Sequence, residues 1–275
     1  MNNEKRAFLA EKARQIRIGA VKAVHSAKSG HPGGALSIAD ILSYLYFEEM
    51  NIDPKDPKKA ERDRFVLSKG HACPALYATL AERGFFDKEL LLTFRKYGSV
   101  LQGHPDMKHI PGVDMSTGSL GQGISAACGM ALSGKISGEN YRVFAVLGDG
   151  EIEEGQVWEA AMFARHYKLD NLCAFIDFNG LQIDGKVTDV IDPTPIDEKF
   201  KAFGWNVVVI DGNDLDQIEK AVDCFKATKE QPTAVIAKTV KGKGVSYMEN
   251  AVDWHGKAPN DDEYAVAMKE LGCED

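Results

Sequence analysis

Asp149 and Asn179 each follow an apolar run and sit in glycine-bearing turns, GDG at 148–150 and DFNG at 177–180. Two hard oxygen donors of this kind suit Mg²⁺, which takes about six oxygens in near-octahedral geometry and usually shares them with phosphates. The runs 142–147 (RVFAVL) and 172–176 (LCAFI) have strand composition, and the segment between them reads as helix. In an open α/β sheet the carboxyl ends of neighbouring strands collect ligands. A strand–helix–strand unit would therefore set Asp149 and Asn179 side by side at one sheet edge. The helix predicted to open at Glu151 and Ile152 would aim free N–H groups at the same anion. Glycine, asparagine and aspartate are also ordinary turn residues. The two turns at this spacing, rather than either alone, predict a metal–diphosphate site.

Of seven histidines, four lie in loop text beside glycine: SGHPGG (His31), SKGHAC (His71), QGHPD (His104) and DWHGKAP (His255). A small neighbour lets a ligand approach the ring and backbone. His31 and His104 also precede proline, which biases them to extended backbone. Imidazole can donate to phosphate oxygens and move protons near neutral pH. His25 and His166 fall in helical text and are read as packed or solvated side chains. A further segment, TGSLGQG at 117–123, has glycines at 118, 121 and 123. It matches neither the dinucleotide fingerprint nor a P-loop. It reads as a backbone cradle on which a flat ring can lie.

These residues must be held by alternating helices and strands. Residues 4–28 carry apolar side chains at Phe8, Leu9, Ala13, Ile16, Ala20, Val21 and Val24, one helical face. Residues 37–50 predict a second helix with Ser37 as N-cap and Asp40 in its first turn. Strands are expected at 64–67, 142–147, 172–176, 205–210 and 233–238, and helices at 120–133 and 214–228. Strands alternating with helices imply an α/β fold with a doubly wound, mainly parallel sheet flanked by helices. No internal repeat or linker interrupts residues 1–275, so a single domain is expected, with 242–275 as a C-terminal loop and short helix.

A net charge of -8 argues against an electrostatic nucleic-acid footprint. No apolar run nears the roughly 20 residues of a membrane span. The charged amino end lacks the apolar centre of a signal peptide. Five cysteines (73, 128, 173, 224 and 273) form no CxxC pair and read as free thiols in a reducing compartment. A cytoplasmic protein is expected.

SGHPGG, LSKGH, QGHPD, TGSLGQG, GDGEIEEGQVWEA with FNGLQIDG, and KTVKGKG…DWHG stand in the order seen in transketolases. The chain resembles the thiamine-diphosphate-binding, amino-terminal domain of that family from about residue 5 to 260. Family members are usually more than twice as long. Their second domain holds the aminopyrimidine and supplies its activating glutamate. The resemblance thus implies the amino-terminal subunit of a split transketolase, with a C-terminal, pyrimidine-binding partner in an α2β2 assembly. It implies metal binding by Asp149, Asn179 and the Leu181 carbonyl, with Mg²⁺ or another divalent cation such as Ca²⁺. Diphosphate contacts are implied for His71, Gly150, His255 and the backbone of Glu151, and aminopyrimidine contacts for Gly118 and Leu120. His31, His104 and His255 correspond to substrate-side histidines that hold ketose hydroxyls and relay protons. Glu154 and Glu159 correspond to an acidic pair facing the other subunit. Two positions depart from the family pattern: Phe178 replaces the first of two asparagines, and Ser119 replaces a frequent proline. The implied reaction moves a two-carbon ketol unit from a ketose phosphate to an aldose phosphate. Two rival readings are another thiamine-diphosphate enzyme half acting on an unusual sugar phosphate, and a non-catalytic partner that keeps the fold.

Overall fold

The apolar runs Val143–Gly148, Leu172–Phe178 and Thr233–Lys238 become central strands covered on both faces, with Asn206–Asp211 at a more exposed edge. The computed structural model describes residues 1–273. Its elements are α1 (Asn3–Ala27), α2 (Pro32–Leu36), α3 (Ala39–Tyr44), β1 (Arg64–Leu67), α4 (Cys73–Arg83), α5 (Gln122–Ser137), β2 (Val143–Gly148), α6 (Gly155–His166) and β3 (Leu172–Phe178). A small hairpin of β4 (Leu181–Gln182) and β5 (Gly185–Lys186) follows. The chain continues through α7 (Val187–Val190), α8 (Ile196–Ala202), β6 (Asn206–Asp211), α9 (Leu215–Ala227), β7 (Thr233–Lys238) and α10 (Asp261–Glu270).

The main sheet has the order β1-β2-β3-β7-β6, and all its pairings are parallel. Successive side chains along a strand point to opposite faces. Phe144, Val146 and Phe175 accordingly join one core with Leu9, Ile16, Ile41 and Phe225 from α1, α3 and α9. Ala145, Leu147, Ala174 and Ile176 join another with Ile124, Ala160 and Phe200 from α5, α6 and α8. Helices on both faces explain why these strands read as continuous apolar runs rather than alternating ones. The chain adds β1, β2 and β3 in one direction, jumps to the edge as β6, and returns as β7 beside β3. Such a reversal opens a crevice at the strands' carboxyl ends.

α1 is capped by the Asn2 side chain, which accepts from Lys5 N, and stops at Lys28 in a left-handed conformation. Its buried residues Leu9, Ala13, Ile16, Ala20 and Val24 recur at helical spacing. Beyond residue 242, Val245, Met248, Trp254 and Met268 pack on Ile18 and Val21 of α1 and Leu36 of α2. A capping box between Asn260 and Glu263 starts α10. This packing brings His255 back over the sheet edge.

Three local expectations change. The helix read from 37–50 is shorter, α3 running on into a π-helical turn at Leu45–Glu49, and a separate short α2 ends at Leu36 just before it. Ser37 is not an N-cap; it ends α2, and its buried hydroxyl donates to Gly34 O and Asp177 Oδ2. No regular helix opens at Glu151 either. A single 3₁₀ turn, Glu151–Glu153, is followed by extended Glu154, and α6 begins only at Gly155. α5 starts at Gln122 rather than Leu120 because Gly118 and Gly121 hold positive φ.

Candidate functional site

The carboxyl edge holds a cavity of about 230 Å³ whose lining includes Asp149, Asn179, Leu181, His31, His71 and His255. Gly148 lies opposite Asp177 in the β2–β3 register, so Asp149 and Asn179 leave adjacent strand ends as expected. Gly180 N donates to Asp149 Oδ2 at 2.5 Å, and Gly150 N to Oδ1 at 2.9 Å. Asp149 is 2% exposed and forms no ion pair among the described residues. Burial, and then the nearby Asp177 charge, push its carboxyl up to about 7. A buried carboxylate without a cation is costly unless something neutralises it.

Asn179 is oriented from behind. Its Nδ2 donates to Asp177 Oδ2 at 2.9 Å, which leaves Oδ1 as the free-standing acceptor, touched by Leu181 N at 3.2 Å. Asp177 is fully buried and serves as the hub of the floor. It accepts from Lys69 Nζ at 2.5 Å, from Ser37 Oγ at 2.8 Å, and from the Thr239 hydroxyl. Burial alone would raise its pKa, but the Lys69 ammonium and these hydrogen bonds hold it below the ordinary carboxylate value. Lys69 is itself 1% exposed and also donates to Gly34 O.

The third expected ligand, the Leu181 carbonyl, already accepts from Lys241 Nζ at 2.9 Å. A carbonyl has two lone pairs and can serve both. Lys241 is 2% exposed and also lies 2.9 Å from His255 Nδ1. Burial, then Lys69, lower its pKa to about 8. Among the described residues no group of three His, Cys, Asp or Glu could hold a metal. One carboxylate with amide and carbonyl oxygens would leave a bound Mg²⁺ largely positive, which suits a diphosphate. The residues fit that pair of ligands.

Three of the four loop histidines converge. The His31 ring lies 5.2 Å from His71 and 5.6 Å from His255, and His71 stacks on His255 at 5.2 Å. Burial, followed by Arg95, lowers His31 to about 4. Burial, followed by Lys241, lowers His255 to about 3, and burial with Lys69 holds His71 well below its usual range. All three rings are neutral at pH 7. His104 stands outside this cluster on an exposed loop. Its ring packs against Gly118, where a Cβ would come within 3.1 Å of the imidazole and φ is +148°. Only glycine suits that position.

Gly118 and Leu120 form the cavity's lip, with Leu120 37% exposed. Glu151 braces this lip from within. Its buried carboxylate accepts from Ser68 Oγ, Gly121 N and Gly148 N, bolting three loops together. Glu154 and Glu159 are both exposed. Sequence reasoning did not single out Lys69, Asp177 or Lys241. The first and third lie inside motifs already quoted, SKGH and KTVKGKG, where a lysine among glycines near a phosphate site was the available signal.

Residues 9–275 match the family model described as transketolase, thiamine diphosphate binding domain. The chain is 44% identical over 269 residues to the 6-deoxy-6-sulfo-D-fructose transketolase subunit SqwG of Clostridium sp. (strain MSTE9), covering 98% of each. It is 42% identical to an apulose-4-phosphate transketolase subunit of Phocaeicola vulgatus, covering 91% of this chain and 89% of that one. Human transketolase is 45% identical over 264 residues, covering 93% of this chain but 41% of the human protein. Among solved structures, Campylobacter jejuni transketolase superposes with TM-score 0.92 at 34% identity, over 99% of this chain and 43% of that one.

Proposed function

The chain belongs to the transketolase family, as its thiamine-diphosphate-binding domain, and on that premise we propose that it is the amino-terminal subunit of a two-chain transketolase. The reading rests most on one observation. Asp149 and Asn179 share a cavity with Lys241 and three neutral histidines at the sheet's carboxyl edge. In this reading Asp149, Asn179 and the Leu181 carbonyl hold Mg²⁺, or another divalent cation such as Ca²⁺. His71, His255, Lys241, Gly150 and the Glu151 backbone contact the diphosphate, and Gly118 and Leu120 lie against the aminopyrimidine. Thiamine diphosphate, when bound, supplies the electron sink for cleaving a ketose C2–C3 bond and passing two carbons to an aldose. His31, His104 and His255 hold substrate hydroxyls and move protons. Neutral rings can do both, since each offers one N–H donor and one bare nitrogen acceptor.

The partner is a C-terminal, pyrimidine-binding chain in an α2β2 assembly, with Glu154 and Glu159 at the shared face. One feature supports a partner: two relatives that match this chain over most of their own length are named subunits. A cytoplasmic location belongs to the same proposal; separately, no helix among the described residues is long and apolar enough to cross a membrane. The donor and acceptor are sugar phosphates or close analogues. Two relatives are named for 6-deoxy-6-sulfo-D-fructose and apulose 4-phosphate, which favours a test panel wider than pentose phosphates. The test is a coupled assay of both subunits with xylulose 5-phosphate, fructose 6-phosphate, apulose 4-phosphate and 6-deoxy-6-sulfo-D-fructose as donors. Two-carbon transfer to ribose 5-phosphate or glyceraldehyde 3-phosphate from any donor is expected. Turnover of none, with both subunits and cofactor present, defeats the assignment.

A further inference from the structure

Arg95 does not line the cavity, yet it grips one of the cavity's histidines. Its backbone holds φ +57°, uncommon for a non-glycine residue. The guanidinium donates through Nη1 to Ser29 Oγ at 2.7 Å, and its Nη2 lies 3.4 Å from His31 Nδ1 and 3.5 Å from Gly103 O. Nε is buried without any acceptor. A buried donor left unpaired lowers stability, so this placement is not explained by folding alone. Gly103 makes the placement possible. A Cβ there would sit 2.8 Å from Nε and 3.1 Å from Cζ and Nη2, so the flat cation lies directly on the glycine backbone beside His104.

The chemistry of the contact fixes a proton. A guanidinium has five N–H donors and no acceptor. His31 Nδ1 must therefore be the acceptor, and a neutral ring then carries its proton on Nε2. Burial and the Arg95 charge keep that ring neutral at pH 7. The Nε2–Cδ2 edge is the one facing Gly256, next to His255. We propose that Arg95 is a positioning residue that locks His31 in the Nε2–H tautomer and ties its ring to the loop bearing His104. His31 then enters the cavity as a hydrogen-bond donor rather than an acceptor. The catalytic consequence rests on the reading above, that His31 handles a substrate oxygen; the tautomer does not.

The test uses the full chain labelled with ¹⁵N, with long-range ¹H–¹⁵N spectra of the histidine rings at pH 7. His31 is assigned by the signals missing in His31→Gln. The wild type is expected to show His31 protonated at Nε2 and bare at Nδ1. Arg95→Met should shift both ring nitrogens toward a mixture of tautomers. Gly103→Ala should do the same with Arg95 intact, because the added methyl displaces the guanidinium; it also decides the matter if Arg95→Met does not fold. A wild-type ring protonated at Nδ1, or an unchanged ring in both folded variants, overturns the proposal. With the partner subunit present, Arg95→Met should lower kcat by at least about tenfold, as loss of an oriented proton donor does, with cofactor affinity unchanged. A tautomer change with unaltered kcat overturns the positioning role. A wild-type pair with no ketol transfer instead defeats the functional reading and leaves the tautomer result standing.

Discussion

At the amino end of the sheet, Arg142 pairs with Asp63 at 2.6 Å and with Glu49, Lys135 pairs with Asp170, and Lys226 pairs with Glu49. At the carboxyl end, Asp149 forms no ion pair among the described residues, and buried Lys241 hydrogen-bonds a carbonyl and an imidazole while Asp149 and Asp177 act on it only through space. Both ends have a cavity, and the amino-end one is the larger, about 470 Å³ against about 230 Å³. Volume alone would therefore choose the wrong end. What separates them is whether buried charge is already answered. Closed ion pairs hold strand ends in place, while open charges of both signs are what a cation and an anion arriving together would satisfy. The carboxyl end does contain closed pairs as well, Arg17 with Asp40 and Lys69 with Asp177, and the second serves as the floor that aims Asn179.

Breaking one charge at each end should give opposite results. Asp149→Ala should abolish thiamine-diphosphate binding in the presence of Mg²⁺, measured by calorimetry, while leaving the melting temperature of the cofactor-free chain equal or higher. It removes a buried carboxyl group that burial disfavours in its charged form and that no ion pair among the described residues holds. Unchanged cofactor affinity in this variant would remove the metal assignment. Arg142→Met should do the reverse. It strands Asp63, whose side chain is 3% exposed, and leaves Glu49 with Lys226 alone, and should cost about 3 kcal/mol of stability by denaturant titration. Cofactor affinity in the folded fraction should not change; a parallel loss of affinity would show that the two ends are coupled.

Lys241→Met sharpens the contrast within the site itself. A charge-assisted hydrogen bond is worth about 1.5–3 kcal/mol, so diphosphate affinity should fall about tenfold to a hundredfold. If the lysine only supports the Leu181 carbonyl, affinity for Mg²⁺ and for the diphosphate should fall together, and titrating each separately distinguishes the two roles.

The sequence made the strands, their parallel pairing and the Asp149–Asn179 adjacency legible, because strand runs covered on both faces and Gly-Asp and Asn-Gly turns are local signals, while the strand order came only from the fold. It did not reveal Asp177, which looked like part of a turn. β3 in fact runs on through Phe178, and that extension buries Asp177 against Lys69. Such a pair joins residues far apart in the chain and leaves no periodic trace. Ser37 misled for a related reason. Serine before an apolar run is a good cap, but here its hydroxyl was drawn to the same buried aspartate. The histidine motifs fall in four separate segments whose convergence no motif encodes, and only packing could show that His104 stays outside the ring cluster. Arg95 carried no motif at all.

The smallest effect tests the neutrality of the histidine cluster. His31 is lowered to about 4 in the folded chain, by burial first and Arg95 second, against about 6.5 unfolded. Between those values the unfolded chain binds a proton that the folded chain refuses, so stability falls as pH drops from about 6.5 toward 4. Asp149, raised to about 7 by burial, tilts the curve the other way over much of the same range. The wild-type slope is therefore a mixture and decides nothing by itself. Subtracting the curve of His31→Gln cancels the Asp149 contribution common to both proteins. The difference, measured by chemical denaturation at half-unit pH steps, should show the wild type losing more stability on acidification. Parallel curves would mean that His31 is protonated in the folded chain as readily as in the unfolded one. A protonated ring has no lone pair at Nδ1, so the Arg95 contact would then be lost below about pH 6.5 rather than resisting protonation down to about 4.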